Sequence, residues 1–239
     1  MSFRNRSDAG RRLGSALAKY KGQHPIVLAL PRGGVPVAAE IAAALSAPLD
    51  LVLVRKIGVP YQPELAMGAV ADGPSPITVR NNDVIVQAGV SEAAFDAARD
   101  REQAENQRRR LRYLGGRGHP ALAGKTAILV DDGIATGATM RAALRAVRAQ
   151  RPKTLVLAVP VAPTDTIAEM RKEADEVVCL EAHEVFGAIG FFYSDFDQVS
   201  DEEVVATLAK YPAQIPSALP VTAAAQPRSI DVNNHGEQR

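Results

Sequence analysis

The sequence predicts an α/β fold built on a parallel sheet, and three observations carry that reading. Short, mostly apolar runs recur along the chain: "PIVLAL" (25–30), "LDLVLV" (49–54), "TAILV" (126–130), "TLVLAVPV" (154–161) and "EVVCLEA" (176–182). Runs of this length and character suit strands buried on both faces. Helical patterns separate several of them, and parallel neighbours need such crossovers because a tight turn cannot join them. The third observation is composition. A chain of 239 residues, 46% hydrophobic and 23% charged, has enough apolar material for one substantial core.

Taken in order, the elements begin with an amphipathic helix carrying Leu13, Leu17 and Tyr20 at helical spacing. The first core strand, 25–30, leads into the helix "VPVAAEIAAAL", and 49–54 is a second buried strand. The stretch "MGAVADGPSPITVRNNDVIVQAG" is punctuated by Asp72-Gly73, two prolines and Asn81-Asn82, which predicts turns and short antiparallel strands projecting from the sheet. Residues 91–114 form a charged helical stretch with Phe95 and Ala98 on its apolar side and Arg108, Arg109 and Arg110 near its end. It is open to two readings, a dimer arm or lid, or a solvated helix packed on its own domain, and the pattern favours the second. After strand 126–130, the segment "TMRAALRAVRAQ" places Met140, Ala143, Leu144 and Val147 on one helix face. Prolines, alanines and polar residues without periodicity from Pro212 onward predict a disordered tail, so the domain spans 1–211 and the tail 212–239.

Charge and cysteine content narrow the function classes. With 28 basic and 27 acidic residues the formal balance is +1, which gives no global field favouring nucleic acid or an anionic membrane. Anion binding must therefore be local. The single cysteine, Cys179, lies in an apolar run and reads as a buried strand thiol in a reducing compartment. The N-terminus has no apolar signal region, and no apolar stretch reaches the roughly 20 residues of a membrane span. A cytoplasmic protein is expected. His24, His119 and His183 are not spaced as a metal set.

The least ordinary stretch is "AILVDDGIATGAT" (127–139): an apolar strand, two adjacent carboxylates, then glycines among small and hydroxyl residues, opening a helix. Such a loop lies at a strand's carboxyl edge, where open α/β sheets bind ligands. Gly133 and Gly137 allow tight turning, Thr136 and Thr139 add hydroxyl donors, and successive amides at a helix N-terminus suit a phosphate. Asp131 and Asp132 would repel that phosphate. They make sense facing another part of the ligand, such as two ribose hydroxyls, because an ionised carboxylate only accepts hydrogen bonds and a diol offers two donors. The inferred ligand is a sugar phosphate. A solvated Asp-Asp-Gly turn explains the acids but not the Thr-Gly-Ala-Thr that follows. A Walker loop lacks its Gly-Lys-Ser/Thr, and the dinucleotide fingerprint lacks its glycine spacing. A second loop, Pro31-Arg32-Gly33-Gly34, lies between the first core strand and its helix. Its glycines open backbone amides and Arg32 brings a permanent charge with several donors, which together suit a diphosphate.

"ILVDDGIATGAT" resembles the phosphoribosyl-diphosphate signature of the type I phosphoribosyltransferases. The resemblance implies a Rossmann-like parallel core with a projecting flexible hairpin and a small hood, about 183–200. It also implies that Asp131 and Asp132 hold the ribose 2- and 3-hydroxyls and that Ala135, Thr136, Gly137, Ala138 and Thr139 hold the 5-phosphate. Arg32, Gly33 and Gly34 resemble the family's pyrophosphate loop, which in xanthine-using relatives often contains a non-proline cis peptide; the matching bond is Pro31 to Arg32. Arg55-Lys56 resembles the pair that begins a mobile catalytic loop in adenine and orotate relatives, with Gly58, Pro60, Pro63 and Gly68 shaping it; the alternative is two solvated cations at a strand end. Glu64 is either that loop's own acid or a surface residue. The aromatic-rich "IGFFYSDFDQ" reads either as core or as a base-stacking surface. It loosely resembles the segment that covers the purine in hypoxanthine-guanine relatives, which makes Phe192, Tyr193 and Asp195 base-binding candidates. No lysine stands in "APTDTIAEM" where those relatives read a 6-oxopurine. The activity implied is transfer of phosphoribose from phosphoribosyl diphosphate to a nucleobase, with Mg2+ carried by the substrate's diphosphate rather than by a protein site. The competing class is a sensor of phosphoribosyl diphosphate or nucleotides on the same fold. A phosphatase with paired aspartates lacks the expected acid, gap, acid spacing.

Overall fold

The computed structural model describes residues 2–211 and 228–231. In chain order its elements are α1 (Arg6–Ala16), β1 (Ile26–Ala29), α2 (Gly34–Leu45), β2 (Leu49–Leu51), β3 (Val54–Val59), β4 (Gln62–Ala71), β5 (Ile77–Arg80), α3 (Asn82–Gln87), α4 (Glu92–Leu114), β6 (Thr126–Val130), α5 (Ala138–Arg148), β7 (Thr154–Pro163), α6 (Thr164–Met170), β8 (Glu176–His183), α7 (Asp201–Ala209) and β9 (Arg228–Asp231). Short 3-10 turns lie at Ala18–Tyr20 and Ile189–Phe192.

Five strands form a wholly parallel sheet in the order β2-β1-β6-β7-β8. Successive residues of a strand face opposite sides, so a strand covered on both sides is apolar throughout. Every residue of β1 and β6 is buried. One face packs against α1, α2 and α7, with Leu13, Ile41, Val204 and Leu208 meeting Val27, Ala29, Ile128 and Val130. The other packs against α5 and α6, with Met140, Leu144, Ile167 and Met170 meeting Leu28, Leu129 and Leu157. The chain leaves β1 through α2 toward β2, and leaves the adjacent β6 through α5 toward β7. The crossovers diverge between neighbouring strands, and that divergence opens a crevice at their carboxyl ends.

A second sheet carries β3, β4 and β5 as an antiparallel meander, with β9 added in parallel to β5. The apolar run 49–54, expected as one strand, is divided between the two sheets. Val52 N still donates to Ala29 O on β1, but Leu53 N turns to the Asp72 carboxylate at 2.6 Å, and the chain leaves the core sheet there. Residues 82–87, inside the region expected to form short strands, are helical. The Asn81 side chain accepts from Val84 N as an N-cap, and only Ile85 of the Val-Ile-Val run is buried, so there is no strand-like alternation to satisfy. The charged helix α4 packs on its own domain. Phe95 and Ala98 meet Ile57, Val59, Met67 and Val70 of the β3–β4 hairpin, and Tyr113 joins the main core. Within the segment read as a structureless tail, Arg228–Asp231 forms β9; the rest of 212–239 lies outside the described residues. Among the described residues, no helix is long and apolar enough to cross a membrane.

Candidate functional site

Both loops singled out in the sequence open at the crevice between β1 and β6. Leu30 N donates to Val130 O, which continues the pairing of the two strands up to the loops themselves. The loops touch. A Cβ placed on Gly33 would lie 2.0 Å from Asp132 Oδ2, and one on Gly34 would lie 2.8 Å from Val130 O and 3.0 Å from the Asp131 Cα. These glycines serve close approach of one backbone to the other loop. The peptide between Pro31 and Arg32 is cis, as the resemblance implied. One expectation needs correction: the Gly34 amide is not an open donor, because it bonds Leu30 O at 3.1 Å in the turn that starts α2.

The loop after β6 is pinned at its base and open at its tip. Ile134 N donates to Val161 O, and Thr166 Oγ1 donates to Ala135 O, both at 3.0 Å. Above them, the amides of Ala135, Thr136 and Gly137 donate to no acceptor among the described residues. Ala138 and Thr139 open α5, where first-turn N–H groups have no acceptor within the helix. Ala135, Thr136 and Ala138 are exposed. Gly137, the N-cap, has φ 73°, and a Cβ there would press on Thr166 and Met170 at 3.0 and 3.1 Å. Among the described residues, five neighbouring amides thus stand without an acceptor at the positive end of a helix, a place that favours an anion.

Beside these amides, Asp131 Oδ1 accepts from Asp132 N at 2.9 Å. Burial, and then the adjacent Asp132 charge, push the Asp131 carboxyl well above the usual carboxylate range. Asp132 is buried and ion-paired with Arg6, Nε to Oδ2 at 2.8 Å. Arg6 gave no signal in the sequence: it sits in a polar first turn that reads as a solvated helix start, and 126 residues separate it from its partner.

The remaining candidates fall around this centre. Arg32 pairs with Asp201 of α7 at 3.6 Å, and Asp201 also binds Arg112 and accepts from the Tyr113 hydroxyl at 2.6 Å. Arg55 is ion-paired with Glu102 of α4, while Lys56, on the opposite face of β3, is exposed. The segment forms the projecting hairpin that the resemblance implied, with Gly58 packed on the Pro63 backbone. Residues 186–196 form a hood beside the acid loop: Ile189 lies where a Gly133 side chain would go, 2.7 Å from the Cβ position. Tyr193 is a correction. Its ring is 2% exposed, wedged between Phe3 and Phe196, and its hydroxyl donates to Asp132 O at 2.6 Å, so neither face is open to a base. Phe192 is half-buried against Phe186 and His183, at 5.0 and 4.6 Å between ring centres, and Asp195 is exposed.

Comparison with known proteins places this arrangement. A family model of the phosphoribosyl transferase domain matches residues 5–196. Two proteins from strains of Mycobacterium tuberculosis, provisionally named phosphoribosyl transferases, are 48% identical over 225 residues, covering 94% of this chain and 50% of theirs. The chain therefore spans about half the length of these curated relatives. The crystal structure of TT1426 from Thermus thermophilus superposes with a TM-score of 0.77 at 40% identity, covering 89% of this chain and 100% of that one.

Proposed function

Because the chain belongs to the phosphoribosyl transferase family, we propose that it moves the 5-phosphoribosyl group from phosphoribosyl diphosphate to a ring nitrogen of a nucleobase or related base, releasing diphosphate. The observation that carries this reading is the meeting, at one crevice, of an open amide cradle, two adjacent carboxylates and the Arg32-Gly33-Gly34 loop.

In this reading the cradle of 135–139 takes the 5-phosphate, and Asp131 and Asp132 accept from the ribose hydroxyls. As the bond from C1 to the diphosphate oxygen lengthens, positive charge grows on the ribose ring and negative charge on the leaving group. The carboxylates then attract the ring more strongly than in the ground state, which is the condition for faster chemistry rather than tighter substrate binding. Arg32 leaves Asp201 to meet the diphosphate, and Arg55 or Lys56 joins it from the hairpin. Arg32 offers donors to that group, and Mg2+ arriving with the substrate would be held mainly by phosphate oxygens and would offset part of the leaving group's charge. The hood covers the acceptor, with Phe192 and Asp195 at its edge.

A screen of purines, pyrimidines and orotate with phosphoribosyl diphosphate and magnesium, read as released diphosphate, tests this. Base-dependent release supports transfer and identifies the acceptor. Tight binding of phosphoribosyl diphosphate with no release for any base contradicts transfer and supports a sensor built on the same pocket.

A further inference from the structure

Asp132 is the point where three parts of the chain meet. Its backbone carbonyl accepts from Tyr193 of the hood, and its carboxylate packs on Gly33 and accepts from Arg6 of α1. The Arg6 guanidinium is itself fixed on three sides: Nε on Asp132 at 2.8 Å, Nη1 on the Asp197 carbonyl at 2.7 Å, and its plane 3.9 Å from the centre of the Phe196 ring. Arg6 and Asp132 side chains are each only 12% exposed. The segment leading into α1 is laced to the hood by Phe3 N to Phe192 O and Ser194 N to Phe3 O, both at 2.9 Å, so Arg6 enters on a firm support.

We propose that Arg6 is a positioning residue for the pentose: its guanidinium fixes the Asp132 carboxylate and supplies the positive charge that lets two adjacent acids face one ribose as acceptors. The inference rests on the reading of Asp131 and Asp132 given above. Two neighbouring carboxylates repel, and burial adds to the cost of ionising both. A guanidinium bonded through Nε to one of them and anchored through Nη1 and its ring contact offsets that repulsion, and a lysine cannot reproduce the three-point geometry. The charged and titratable groups around this centre include Arg6 of α1, Asp131 of the same loop, Tyr193 and Asp197 of the hood, Arg32 next to Gly33, and Glu203 of α7, which faces Arg6. Arg6 is the cation that draws Asp131 back toward ionisation.

The test uses the full chain and its Arg6→Gln and Arg6→Lys variants, with affinity for magnesium phosphoribosyl diphosphate measured by calorimetry across a pH series. Arg6→Gln is expected to weaken binding roughly tenfold to hundredfold, and to move the acid limb of the affinity profile to higher pH, because the acid pair then takes up a proton more readily. Arg6→Lys is expected to keep the limb near its wild-type position with intermediate affinity. A purely structural role lowers the melting temperature of Arg6→Gln while leaving the affinity and the pH limb unmoved, and that result overturns the proposal. Should Arg6→Gln not fold, a wild-type affinity for Arg6→Lys overturns it equally. Absence of binding by the wild-type chain refutes the ribose reading itself, a result distinct from equal binding by wild type and variant.

Discussion

Gly33 shows how little room the site leaves. Its absent side chain is the space in which the Asp132 carboxylate lies, and the Oδ2 that occupies it is the oxygen that Arg6 holds. Gly33→Ala is expected to displace Asp132 and weaken phosphoribosyl diphosphate binding on the order of tenfold or more, the loss of about one charge-assisted hydrogen bond. Calorimetric titration checks this, and unchanged affinity in a folded variant would show that the two loops give way independently. The candidate acids, the candidate cradle and the Pro31–Arg32 bond, which is cis, could be singled out because they fall in two contiguous motifs. Arg6 was not, since its importance comes from contacts that bring distant segments together. For Tyr193 the sequence left core and stacking surface both open, and burial and its hydrogen bond to the acid loop favour the core reading.

At the scale of elements, α4 joins the hairpin to the core. Arg110 is buried on it and binds Asp50 of β2 and Asp72 at the end of β4 at 3.0 and 3.1 Å. Asn106 Nδ2 donates to Leu53 O and Val70 O at 3.3 and 3.2 Å, bridging the place where the chain changes sheets. Burial pushes the Asp72 carboxyl up to about 6, with Arg110 working against the shift. A carboxyl raised in the folded state binds its proton more readily there than when unfolded. Its charge therefore costs stability above pH ~6, and the cost fades as pH falls toward its ordinary value. Arg110→Met leaves two buried acids without their cation and is expected to cost about 3 to 5 kcal/mol at neutral pH, less in acid. Urea unfolding at two pH values checks it; a loss under about 1 kcal/mol, equal at both, would contradict a buried role. The parallel core was readable because its central strands are apolar at nearly every position and buried throughout. The split of 49–54 and the helix at 82–87 were not, because both turn on single side chains, Asp72 and Asn81, taking backbone donors.

For the whole molecule, the claim is that the divergence of α2 and α5 over neighbouring strands creates one site in which a phosphate cradle and an acid pair grip the two ends of a sugar phosphate. The paired substitution Asp131→Asn and Asp132→Asn keeps shape and removes the acidic acceptors, and because Arg6 then loses its ion pair the melting temperature is measured alongside. Calorimetric titration of that double variant and the wild type with magnesium phosphoribosyl diphosphate is the most direct measurement. The wild type should bind, and the variant should bind roughly tenfold to thousandfold more weakly, as expected for two charge-assisted hydrogen bonds lost. Equal affinity in a properly folded variant would contradict the account.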